Sequence, residues 1–275
     1  SVDSSFSVLM RVGLAALVFL PFLRTRGQSP RTIVLYMLVG AMQLGIMYLL
    51  AFRAYLYLTV SEFLLFTVFT PLYITLIYDL LSGRKLRWGY LLSAALAVLG
   101  AAIIRYDKVS DHFWTGLLLV QLSNLCFAIG MVGYKRLMEV RPMPQHNAFA
   151  WFYVGAFIVA VAAWFMLGNA QKLPTTTLQW SVLVWLGVVA SGLGYFMWNY
   201  GATQVDAGTL GIMNNVHVPA GLLVNLAIWQ EQPHWPSFIS GALVILASLW
   251  VHRRWVAPHS GQTADDRRRG SAQSE

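Results

Sequence analysis

An all-α polytopic membrane protein is the fold class this sequence predicts, and three observations predict it. Of the 275 residues, 57% are hydrophobic and only 11% are charged, against about 25% charged and about 45–50% apolar in a soluble domain. The mean hydropathy is +0.59, and a globule of this length has too little interior to hide that surplus. The apolar residues also come in long runs without the alternation of a barrel strand, so the spans are helices. A soluble enzyme and an ordinary nucleic-acid binder are excluded on the same grounds. The single cysteine, Cys126, lies inside an apolar run, which leaves no disulfide framework and no Cys-based metal site.

Stretches of about 17–25 apolar residues predict nine transmembrane helices, at 6–23, 32–54, 62–81, 89–104, 113–134, 149–167, 180–200, 209–227 and 238–251. The first ends at the turn Arg24-Thr25-Arg26-Gly27, and the third at Ser82-Gly83-Arg84-Lys85. The fifth and sixth are separated by Arg141-Pro142-Met143-Pro144. Such Pro, Gly and charge clusters mark loops, and no water-soluble domain is inserted between the helices. From about residue 260 the chain is polar and of low complexity, the composition of a disordered tail.

The basic residues fix an orientation. Arg24, Arg26 and Arg31 follow the first helix, and Arg84, Lys85 and Arg87 follow the third. Lys135, Arg136 and Arg141 follow the fifth, and Arg253, Arg254 and residues 267–269 follow the ninth. All four clusters fall on one side, which the positive-inside rule assigns to the cytoplasm. The net charge of +8 is thus a topology signal rather than a nucleic-acid footprint. The C-terminus is expected inside and residue 1 outside, so one further transmembrane helix is expected ahead of residue 1, ten in all.

An internal repeat supports that count. At a constant offset of 147 residues Gly40 meets Gly187, Gly45 meets Gly192, Tyr48 meets Tyr195, Trp88 meets Trp235 and Leu99 meets Leu246. Pro71 and Pro219 fall one position apart, and the predicted helix boundaries superpose. The expected organisation is a first repeat over 1–112, lacking its leading helix, a second over 113–259, and the tail over 260–275. Five helices per repeat place the halves upside down relative to each other, an arrangement typical of secondary transporters with a substrate site near the midplane.

The order of several short motifs resembles the EamA branch of the drug/metabolite transporter superfamily. The first half carries Leu9-Met10-Arg11, Gly45, Tyr48, Val60-Ser61-Glu62 and Pro71. The second carries Gly194-Tyr195, Asp206-Ala207-Gly208, Pro219 and Gln230-Glu231. The resemblance covers nearly the whole chain, and the aromatic-rich helices are similar to those of the branch's bacterial aromatic amino-acid exporters. It implies two inverted five-helix repeats around a central cavity, with gates formed by 32–54, 62–81, 180–200 and 209–227. An inner-membrane location and export of aromatic and other hydrophobic amino acids are implied with it.

Polar groups at membrane depth are costly and point to function. The densest set is Asn214-Asn215-Val216-His217, just before Pro219, which frees a backbone carbonyl one turn earlier. That set reads as a substrate site or as a patch on the kink, and His217 alone reads also as a satisfied core histidine. Tyr195, Trp198 and Asn199, with Ser191, share one helical face suited to an aromatic or cationic substrate; Trp198 fits an interfacial belt equally well. Tyr48, the counterpart of Tyr195, and Gln43 are candidate lining residues, as are Gln121 and Asn124, three apart on one face. Pro71 and Pro219 are the expected hinges. Arg11 is expected to snorkel outward from its helix. With no Lys deep in a span and Arg only near span ends, a neutral or zwitterionic, partly apolar substrate fits better than a phosphorylated one.

The expected mechanism is alternating access, with small-molecule substrate and lipid as partners and no cofactor, metal or catalytic residue. A broad metabolite or cationic-drug exporter is the alternative, favoured if Glu62 or Asp79 faced the cavity. An intramembrane serine protease fails because Val189-Ala190 precedes Ser191-Gly192 where Gly-x-Ser-Gly is needed.

Overall fold

The computed structural model describes residues 2–83, 113–205 and 207–214, with the single positions 220 and 224. The predicted helices 89–104 and 238–251, most of 209–227 and the polar tail lie outside the described residues. The chain divides into two compact units, Ser1–Ala207 and Gly208–Glu275.

Every described element of the first unit is helical. We number them α1 (Ser4–Phe22), α2 (Pro30–Ala54), α3 (Val60–Phe66), α4 (Thr70–Leu81), α5 (Phe113–Val140), α6 (Gln145–Leu167) and α7 (Thr177–Ala202). α8 (Ala207–Asn214) leads into the second unit. Among the described residues α1, α2, α5, α6 and α7 are each long and apolar enough to cross a membrane. Large apolar side chains such as Leu17, Leu38, Trp114, Phe165 and Met197 are exposed along them, as lipid-facing surfaces require.

Local chemistry starts four of the helices. The Asp3 carboxylate accepts the Phe6 amide at the head of α1, and Ser29 accepts that of Thr32 ahead of Pro30 in α2. Thr59 and Glu62 exchange bonds at the start of α3, and Thr176 and Gln179 form a reciprocal capping box on α7. Each satisfies amides that have no partner within the helix.

Three interruptions depart from uniform helices. The predicted helix 62–81 breaks into α3 and α4 at a tight turn over Thr67–Phe69. Pro71 therefore sits in the first turn of α4 rather than in mid-helix. Its missing N–H and its ring are tolerated there, while the Thr70 amide bonds the Thr67 carbonyl and strands that of Phe66. The other two interruptions are widened π-helical turns, Ala41–Ile46 in α2 and Leu186–Gly194 in α7. Shifted by 147 residues, the first falls within the second.

Small residues let the helices approach. A Cβ on Gly40 would lie 1.8 Å from the Phe152 carbonyl oxygen, and one on Gly155 would lie 1.9 Å from that of Met37. α2 and α6 thus cross backbone to backbone, the close contact that glycine permits between membrane helices. The core nearby is aromatic: Tyr36, Tyr134, Phe149, Phe152 and Tyr153 are fully enclosed.

Contacts at the helix ends set directions. The Asp3 amide donates to the Lys172 carbonyl, whereas Arg24, past the far end of α1, meets Asn147 and Trp151 at the start of α6. Tyr36 near the start of α2 donates to the Arg141 carbonyl, and Thr203 past α7 meets Gln145. α1 and α6 are therefore antiparallel, as are α2 and α7. Arg24, Lys135, Arg136 and Arg141 gather at one end of the bundle, the grouping the basic clusters predict.

Candidate functional site

The site is built where α1, α2 and α7 meet. α1 buries Val8, Val12, Ala15 and Phe19, a stripe at helical spacing, and Arg11 lies on the same face, three residues after Val8 and four before Ala15. Its side chain turns into the bundle instead of snorkelling outward. Nε donates to the Ser191 hydroxyl at 3.0 Å, and Nη2 donates to the Tyr48 hydroxyl at 2.9 Å. Those two hydroxyls lie 3.0 Å apart and bond each other. The guanidinium carbon stands 4.4 Å from the centre of the Tyr48 ring and 5.7 Å from that of Phe52.

No carboxylate pairs with Arg11 among the described residues; the ion pairs there join Glu139 to Lys135 and Arg136. A cation on a spanning helix costs about 2.5–3.5 kcal/mol at the helix centre. The two ring faces return about 0.5–2 kcal/mol each, and neutral hydroxyls supply no counter-charge. The cation is held in place by the protein and neutralised by none of the described groups.

Ser191 owes its position to the widened turn of α7. A π turn shifts the backbone bonds and leaves carbonyls needing other donors. The buried Tyr153 hydroxyl from α6 supplies one, donating to Ser191 and, at 3.1 Å, to Gly192. Tyr195, one residue past the turn, meets Tyr48 edge to face at 5.9 Å and Phe127 at 6.4 Å. The tyrosines paired by the 147-residue offset thus touch each other, beside the cation.

The other predicted site residues divide. Gln43 is fully enclosed within the α2 turn against Gly130, and neither its amide nitrogen nor its oxygen finds a partner among the described residues. Gln121 and Asn124 come together as their spacing predicts, but both donate to the Phe66 carbonyl, at 3.2 and 3.0 Å, and Gln121 accepts from Tyr73. Their amides hold the α3–α4 break. The Trp198 indole donates to Met131 Sδ, and Asn199 donates back to the Tyr195 carbonyl of its own helix while its oxygen has no partner among the described residues. Asn214 is buried at the end of α8, in the second unit. Asn215, His217 and Pro219 lie outside the described residues. Glu62 caps α3, and Asp79 is buried in α4.

Sequence reasoning missed the inward Arg11 and the role of Tyr153. Arg11 had a signal, its place on the Val8–Val12–Ala15 stripe; Tyr153 had none, because it answers a backbone irregularity in another helix.

Comparison with known proteins gives a consistent picture. The profile of the EamA-like transporter family matches residues 1–106 and 114–253. The chain is 82% identical over 274 residues to the biotin transporter of Escherichia coli (strain K12), covering 100% of this chain and 92% of that protein. It is 54% identical over 254 residues to the probable biotin transporter of Pseudomonas aeruginosa, covering 92% and 88%. A solved crystal structure shares the fold with a TM-score of 0.71 at 17% identity, over 94% of this chain and 90% of the other. The expectation of aromatic amino acids as substrate is not supported by these relatives, whose names point to biotin.

Proposed function

This chain belongs to the EamA-like transporter family, and from that premise we propose that it moves biotin across a bacterial inner membrane by alternating access. The observation that carries the substrate is the 82% identity along the entire chain to a protein named as a biotin transporter. Substitutions at fewer than one position in five leave little room for a rebuilt binding site. The arrangement of α1, α2 and α7 supports the same reading: biotin is partly apolar, with a cyclic urea at one end and a carboxylate at the other. Aromatic walls with a few polar handles suit such a molecule.

The inverted repeat supports alternating access. α1 and α6, and α2 and α7, correspond under the 147-residue offset and run in opposite directions, with a widened turn at the same point of α2 and α7. In this reading the widened turns and the Thr67–Phe69 break let helices bend without unfolding, and Pro71 is one hinge. The basic end of the bundle faces the cytoplasm.

The test is uptake of radiolabelled biotin into liposomes containing the full-length protein. Saturable uptake, competed by unlabelled biotin and untouched by excess phenylalanine, is the expected result. Saturable phenylalanine flux with no biotin flux would return the substrate to amino acids and overturn the proposal.

A further inference from the structure

The biotin reading says nothing of how an anion is recognised inside an apolar bundle, and Arg11 supplies an answer. We propose that the Arg11 guanidinium, oriented by Tyr48 and Ser191, is the subsite that binds the carboxylate of the substrate. The inference rests on the biotin reading for its ligand and on the geometry for its location.

Four observations carry it. Arg11 lies about 10 Å along α1 from Ser4, at about 1.5 Å per residue, within the span and away from a helix end where it would meet water. It is fixed by two hydroxyls, which orient the planar fork without neutralising it. Its remaining donors have no protein acceptor among the described residues, and the side chain is only half-buried, so a ligand can reach them. A planar guanidinium matches a carboxylate in a two-bond geometry that no ammonium reproduces.

The surroundings agree. A cavity of about 370 Å³ lies at the Asp3 end of the bundle, lined by Ser4, Ser5, Arg53, Tyr57, Thr115 and Leu167 among others. Ser4 stands two helical turns before Arg11 on α1, and Arg53 stands five residues past Tyr48 on α2. The cavity and the cation thus lie along the same two helices, though Arg11 itself does not line it. The exposed Arg53 adds a second positive charge at the cavity, the arrangement that focuses anions into a cleft. The one guanidinium at this place suits a monoanionic carboxylate and is too little for a phosphate ester.

The relevant contrast is biotin against biotinamide, which keeps the rings and chain and removes the charge. Binding of each to the purified full-length protein is measured by ligand-induced thermal stabilisation and by competition against labelled biotin. For the unaltered protein biotin is expected to bind at least about tenfold tighter than the amide, the scale of a charge-assisted pair. In Arg11→Gln that ratio is expected to fall to about one, chiefly through loss of biotin binding. Arg11→Lys keeps the charge but loses the fork and is expected to retain only part of the ratio.

Equal binding of acid and amide by the unaltered protein would overturn the proposal without any variant. So would a ratio unchanged in Arg11→Gln while both affinities fall together, the mark of a packing role. Binding of neither compound by folded protein would instead overturn the biotin reading, and this subsite with it.

Discussion

α2 and α7 correspond under one sequence offset, and each carries a widened turn at the same depth, yet they use it in opposite ways. In α7 the irregular backbone is satisfied from outside: Tyr153 donates to the Ser191 and Gly192 carbonyls, and the Ser191 hydroxyl takes Arg11. In α2 the turn holds Gln43, fully enclosed with its amide unpartnered among the described residues. Tyr48 keeps its ring in Tyr195, but the counterparts of the other key groups are chemically blank. Arg11 corresponds to Ile158, Tyr153 to Phe6, Ser191 to Leu44 and Gln43 to Ala190. Repetition is kept in glycines, backbone shape and the Tyr48–Tyr195 pair, where two helices must pack and bend alike. It is lost at the other polar groups of the proposed substrate site, which would meet a substrate that has no symmetry of its own.

The glycines offer the harshest test of that contrast. At both paired positions α2 is the tighter helix. A Cβ on Gly40 meets the Phe152 backbone at 1.8 Å, whereas one on Gly187 meets the Leu14 side chain at 2.8 Å. One on Gly45 meets Val159 at 2.8 Å, whereas one on Gly192 meets the Gly187 carbonyl at 3.2 Å. Main chain cannot rotate aside as a side chain can, so Gly40→Ala is expected to cost at least about 3 kcal/mol, the upper end of ordinary overpacking. Gly187→Ala is expected to cost clearly less. Thermal unfolding of both variants in detergent decides it, and equal losses would mean the two crossings are equivalent.

Next in size is the tyrosine that serves the α7 turn. Tyr153→Phe keeps the ring and removes the donor, leaving buried carbonyls unsatisfied at about 1–3 kcal/mol. The same turn presents Ser191 to Arg11, so the expected signature is lower thermal stability together with weaker biotin binding. A variant as stable as the parent would mean that the freed carbonyls find other donors and that α7 resembles α2 after all.

How much of this was legible in the sequence depends on what each feature rests on. Five of the predicted spans followed from hydropathy because water exclusion acts on every residue of a span. The α1 and α2 boundaries fall within two residues of their predicted ends. The gathering of Arg24, Arg136 and Arg141 at one end followed from charge alone. The offset paired Tyr48 with Tyr195, but that the two rings meet is a finding of the structure. Three things were not legible. Pro71 opens a helix instead of kinking one, because Thr67–Phe69 tightens into a separate turn. Gln121 and Asn124 serve the Phe66 carbonyl, an acceptor that exists only because of that turn. The partners of Arg11 were hidden although its inward face was not, because two hydroxyls from helices far along the chain converge on it. Each depends on a backbone irregularity or a long-range partner, and single-helix periodicity reports neither.

The smallest expected effect bears on the α2 side of the comparison. An enclosed amide with no partner is a net cost to folding, so Gln43→Leu, which fills a similar volume with apolar atoms, is expected to raise stability by about 1 kcal/mol, the low end of the penalty for an unsatisfied buried polar group. On the proposed biotin reading, a side chain kept at such a cost is expected to be used in transport, its amide meeting the cyclic urea or a water as the turn opens. The expected outcome is therefore opposite in sign for the two readouts: a higher unfolding temperature and slower biotin uptake. If uptake were unchanged while stability rose, Gln43 would be a packing remnant, and the chemistry of the bundle would rest on the α1–α7 side alone. If stability fell instead, the amide would have a partner in the membrane-embedded protein, and the two turns would differ less than the contrast between them requires.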